Sequence, residues 1–125
     1  MILFANIYIL LTIIIAIFQV ALAMGAPLGE FTMGGKFTGK LPIKMRVAAL
    51  AQIVILLIFV FIVAAKAGIA FEQYYSFGRI GIWFVVAFFV FGTLVNISSP
   101  SRKEKLTMGP ANIIALISTL VVALS

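Results

Sequence analysis

VAALAQIVILLIFVFIVAA, residues 47–65, contains no charged residue and one strongly polar one, Gln52. As a helix rising 1.5 Å per residue it reaches roughly 28 Å, close to the thickness of a bilayer's hydrocarbon core. Three more runs flank it. Ile2 to Ala23 reaches roughly 33 Å and is interrupted only by Asn6, Thr12 and Gln19, Ile80 to Ile97 reaches roughly 27 Å without a charge, and Met108 to Ser125 is just long enough to cross. Lipid offers no partners to backbone N–H and C=O groups, and the alternating strands of a closed barrel are absent, so each run is expected to be helical. The expected fold is an all-α integral membrane protein. It is a single domain, 1–125, with four transmembrane helices at about 2–23, 47–65, 80–97 and 108–125 and loops at 24–46, 66–79 and 98–107.

Composition agrees with that class. Hydrophobic residues make up 65% of the 125, charged residues only 10%, and the mean hydropathy is +1.31. Soluble domains run near ~45–50% apolar and ~25% charged. The chain has no cysteine, histidine or aspartate, and its carboxylates are Glu30, Glu72 and Glu104. Thiolate, imidazole and most metal chemistry therefore have no residues to use, and no cofactor, metal site or catalytic set is expected. The segment ALAMG at 21–25 resembles a signal-peptidase site. The first run is nevertheless expected to be retained, because its start carries no positive side chain and its apolar stretch exceeds the ~7–15 residues of a signal peptide.

The cations give an orientation. The first loop carries Lys36, Lys40, Lys44 and Arg46 and the third carries Arg102, Lys103 and Lys105, whereas the second has Lys66 and Arg79 at its edges. Seven against two places loops one and three in the cytoplasm and both termini outside a cell membrane. The net charge of +6 is read as this topology signal rather than as a nucleic-acid surface.

The two basic loops have local logic. In GEFTMGGKFTG, residues 29–39, the pair Gly34-Gly35 lies between short runs rich in threonine and phenylalanine, the pattern of a small β-hairpin with a two-residue turn. Gly25 suits the end of the first helix and Pro42 the start of the second. In the third loop Ser101 and Glu104 have capping-box spacing, which predicts a short interfacial turn, with Gly109-Pro110 restarting the chain as the fourth helix. Glu30, Lys36, Lys40, Lys44, Arg46, Ser101, Arg102, Lys103, Glu104 and Lys105 form the candidate surface for anionic headgroups or a partner protein.

Polar residues inside the spans are few and mild. Ala5, Tyr8, Thr12, Ala16, Gln19 and Ala23 form a stripe on the first helix. Ala48 and Gln52 begin one on the second, Gly81, Val85, Phe88, Gly92, Asn96 and Ser99 mark the third, and Asn112, Ala115 and Thr119 the fourth. Gln19, Gln52, Asn96 and Asn112 are expected to face inward or lie near a surface, since an amide in lipid lacks partners.

Length and four spans resemble the small multidrug resistance exporters, but the carboxylate those carry in their first helix is absent. GTLVN at 92–96 resembles a segment of the fluoride channel family, whose TTFS segment is missing from the third helix here. The motif series GAPLG at 25–29, Gly34-Gly35, Leu41-Pro42, Arg46, Trp83 and NISSPSRKE at 96–104 is similar to a widespread group of small bacterial four-helix membrane proteins. That resemblance implies four helices and no chemistry. The expected function is a non-enzymatic membrane module, accessory or self-associating, whose basic face contacts anionic lipid or a partner. It is expected as a homo-oligomer or in a larger membrane complex, without nucleic acid. The alternative is an oligomeric channel or transporter for a small solute, and an enzyme acting on lipid is the remaining class.

Overall fold

The computed structural model describes residues 1–29 and 39–125. Four long helices form: α1 (Ile2–Ala23), α2 (Ile43–Ala67), α3 (Tyr75–Ile97) and α4 (Arg102–Leu124), with a 3₁₀ turn at Glu72–Tyr74 leading into α3. All four are long and apolar enough to cross a membrane. The hairpin expected about Gly34-Gly35 lies outside the described residues, as do Glu30 and Lys36.

Each helix ends for a local reason. At the end of α1, Gly25 takes φ +93°, its N–H donates to the Leu22 carbonyl at 3.1 Å, and the Ala26 N–H donates to the Ala21 carbonyl at 2.9 Å. This pair of bonds is the Schellman motif, which glycine permits because a Cβ disfavours left-handed backbone. Gly68 (φ +74°) ends α2 with the same pair, from its own N–H to the Ala65 carbonyl and from the Ile69 N–H to the Ala64 carbonyl. Pro42 precedes α2 in extended backbone, and Ser101 caps α4 by accepting the Glu104 N–H at 3.3 Å.

Three helices are longer than their apolar runs. The α2 helix starts at Ile43 rather than 47 and thus includes Lys44 and Arg46, while α3 starts at Tyr75 rather than 80. The largest difference is in α4. The separate interfacial turn and the restart at Gly109-Pro110 do not occur, because one helix runs from Arg102 through Pro110 to Leu124. Proline removes one N–H, the one that would bond the Leu106 carbonyl, and both Leu106 and Pro110 lie on the exposed face. The defect therefore falls outside the packed interior and the helix continues.

The helices form a ring in which each packs on its neighbour in the chain and α4 closes on α1, while α2 and α4 meet only sparsely across the diagonal. Ala5 and Tyr8 of α1, Val63 of α2, Val85 and Phe89 of α3 and Val122 of α4 share one core. Tyr8 meets Phe89 edge-on at 5.7 Å between ring centroids, and Phe59 meets Phe88 at 5.0 Å. The α1 stripe faces inward at Ala5, Tyr8, Thr12 and Gln19; Ala48, by contrast, is exposed, and the buried face of α2 starts at Ala49. Outside the ring, Leu10, Ile14, Leu57, Phe84, Phe91 and Leu94 are each more than half exposed. Apolar surface of that extent on every helix has no place in water and is solvated by lipid tails. The protein is a small multi-pass membrane protein built from four packed helices.

Candidate functional site

An up-and-down ring puts the end of α1, the start of α2, the end of α3 and the start of α4 together. Gln19 sits one turn from the end of α1 and Asn96 at the end of α3, while Gln52 and Asn112 lie ten residues into α2 and eleven into α4. The structure brings all four amides to one cavity of about 150 Å³ inside this end of the bundle. Glu104 lines the same cavity, as do Ile15, Phe18, Leu56, Phe88, Phe89 and Met108.

Helix geometry aims these groups. Glu104, Met108 and Asn112 follow one another at intervals of four along α4, so they stack on one face that continues into buried Ala115 and Thr119. The Asn112 Nδ2 donates to the Met108 carbonyl and the Asn96 Nδ2 to the Gly92 carbonyl, both at 2.8 Å. With one N–H of each amide held by its own helix, the Oδ1 and the second N–H are left to meet a neighbour. Gly92 makes room for one of them: a Cβ there would lie 2.7 Å from the Asn112 Oδ1. Gln19 is 6% exposed and Glu104 4%, so both polar groups are withdrawn from solvent.

The basic end surrounds this cavity. Lys40, Lys44, Arg102, Lys103 and Lys105 are exposed, while Arg46 is half-buried and donates from Nε to the Ala23 carbonyl at 2.8 Å. That bond satisfies one of the open carbonyls at the end of α1 and ties α2 to it. The backbone bond from Gly29 N–H to the Gly39 carbonyl, 2.8 Å, closes the base of the first loop. Ser101, expected at the surface, is the α4 cap, and its own N–H donates to the Ser99 Oγ at 3.1 Å. Glu104, expected beside it on that surface, is turned into the bundle.

A second depression, of about 400 Å³ and almost wholly apolar, runs between α1 and α4 on the outer face. It shares Ile15, Phe18 and Met108 with the polar cavity, so these three side chains stand between the cavity and lipid. At the opposite end of the bundle Lys66 is 3% exposed, donates from Nζ to the Ser125 main-chain oxygen at 2.9 Å, and lies 5.6 Å from the Tyr75 ring centroid. Among the described residues no cluster of three or more His, Cys, Asp or Glu side chains is placed to hold a metal.

Sequence reasoning found the four amides by residue type and missed Glu104 as their companion. The spacing 104, 108, 112 was the available signal, hidden by starting the fourth span at Met108. Comparison with family models, with curated proteins and with solved structures gives no match for this chain. The likeness to small four-helix membrane proteins therefore rests on the four long apolar helices themselves.

Proposed function

We propose that this protein is a non-enzymatic membrane module that holds a small polar solute among its four helices, acting as a binding or permeation unit rather than a purely structural one. One observation carries the reading: polar side chains from all four helices, Gln19, Gln52, Asn96, Glu104 and Asn112, converge on a single cavity. Polar groups at membrane depth are costly, and a packed apolar interior would avoid that cost; their convergence supports a site where a solute or ordered water completes their hydrogen bonds. Among the described residues that line the cavity, the side chains beside Glu104 are amides and apolar groups, a lining suited to holding a solute. Solute entry into proteoliposomes is the test of permeation. Flux through the wild-type protein that drops about tenfold or more in Gln19→Leu supports the reading, and flux equal to that of empty vesicles removes the permeation part of it.

A second reading has its own support. The exposed cations at the same end, each worth about 1 kcal/mol near an anionic leaflet, and the apolar α1/α4 groove suit a module that retains anionic lipid or docks a partner subunit. Native mass spectrometry separates the two. Retained anionic lipid that is lost when Arg102 and Lys105 are both changed to glutamine, with no solute effect, favours the lipid-contacting module.

A further inference from the structure

We propose that the cavity takes a small, planar, neutral solute of the carboxamide or urea class, an inference that rests on the solute-binding reading above and narrows it. The chemistry follows from what the four amides still have to offer. Gln19, only 6% exposed, and Gln52 both line the cavity, and neither hydrogen-bonds another described residue. Each presents a whole carboxamide edge, with an oxygen able to accept and two N–H groups able to donate. Asn96 and Asn112 each spend one N–H on a carbonyl of their own helix, which leaves each of them an Oδ1 and a second N–H. Glu104 already has an interaction of its own, so the amides alone supply the contacts.

Donors and acceptors thus stand side by side on each of these four groups. A bare cation is met by the oxygens and leaves the N–H groups unmatched, an anion does the reverse, and either mismatch is costly for a side chain as buried as Gln19. A carboxamide or a urea carries the same two functions along one edge. Its carbonyl accepts from an amide N–H while its own N–H donates to that amide's oxygen, so two parallel bonds form across one pair of groups. Shape favours the flat solute over a polyol. Phe88 and Phe89, edge-on to each other at 5.3 Å, border the same cavity, and a planar solute can rest its face on ring surface while its edge meets the carboxamides. A polyol, whose hydroxyls point in several directions, leaves some of them against the rings without partners. The volume, about 150 Å³, equals roughly five water molecules at about 30 Å³ each, which is room for a solute the size of urea or acetamide.

The test uses the full chain in deuterium oxide with an uncharged detergent that lacks aromatic groups. Saturating the protein's aromatic protons transfers magnetisation to a solute bound beside them, and the probe is acetamide, read at its methyl resonance. The expected result is a saturable transfer to acetamide that urea displaces, whereas N,N-dimethylacetamide, which keeps the carbonyl and lacks the N–H donors, binds about tenfold more weakly or worse. Gln19→Leu and Asn112→Leu should each weaken acetamide binding about tenfold, while Lys44→Gln on the exposed surface should leave it unchanged. Should a leucine variant fail to fold, the wild-type contrast between acetamide and its dimethyl derivative, with displacement by urea, supplies the same reading. Equal transfer to acetamide and N,N-dimethylacetamide, untouched by urea, overturns the proposal. A saturable effect of glycerol, or of sodium read by broadening of its ²³Na resonance, with none from acetamide, overturns the carboxamide class and leaves the solute site standing. No effect from acetamide, glycerol or sodium overturns both.

Discussion

Gly92 and Asn112 show how one missing side chain shapes the cavity. A Cβ at residue 92 would come within 2.7 Å of the Asn112 Oδ1, and Asn112 cannot swing away without giving up its bond to the Met108 carbonyl. Such a hydrogen bond is worth about 0.5–1.5 kcal/mol net, while alanine gains up to about 1 kcal/mol of helix propensity over glycine. The two effects nearly cancel in Gly92→Ala alone, so the informative quantity is the coupling. In an Asn112→Ala background the clash has no partner, and Gly92→Ala should become stabilising, with a coupling of about 0.5–3 kcal/mol in a double-mutant cycle read by thermal or denaturant unfolding. Additive effects would mean that the two residues do not touch. The amides themselves were legible in the sequence, because a glutamine or asparagine in an apolar helix must find a partner. Their common destination was not, since it depends on which ends of four helices the ring brings together.

At the scale of elements, α4 carries the clearest difference between apolar pattern and helix. The hydrophobic run starts only at Met108, but backbone hydrogen bonding starts sooner, and a cap seven residues earlier lets the helix begin among charges. The same is true of α2, where Pro42 starts a helix whose first turn contains Lys44. Lengths of spans were thus readable from hydropathy, and helix ends only from caps. Two substitutions test the continuity of α4. Ser101→Ala removes the oxygen that accepts the Glu104 N–H, and its expected cost is about 1 kcal/mol, with fraying of the turn that positions Glu104. Pro110→Ala restores a backbone donor on the exposed face inside the helix and should stabilise by roughly 1–3 kcal/mol, reduced by the greater freedom of the unfolded chain. Hydrogen exchange along residues 102–112 reads both. If Pro110→Ala changes neither stability nor protection there, residue 110 does not lie inside a helix.

For the whole molecule, burial sharpens the charge asymmetry that sets orientation. Among the described residues the end formed by loops one and three exposes Lys40, Lys44, Arg102, Lys103 and Lys105, whereas at the other end Lys66 is buried against Ser125 and Arg79 is the exposed cation. Exposed Lys and Arg in short loops are what the positive-inside rule counts, so a contrast of six to two among the described residues becomes five to one at their surface. The expected topology has the basic end in the cytoplasm and both chain ends outside. A reporter fused after Ser125 should then be active only outside the membrane, and a cysteine introduced at Lys105 should react only with reagents that reach the cytoplasm. Changing Lys40, Lys44, Arg102, Lys103 and Lys105 to glutamine while adding lysines beside Arg79 should invert a measurable fraction of molecules. The outcome bears on the cavity as well, because Gln19, Asn96 and Glu104 lie under the basic end: with that end cytoplasmic, a bound solute equilibrates first with the cell interior. A cytoplasmic C-terminal reporter in the wild-type chain would reverse both the topology and the side from which the cavity fills.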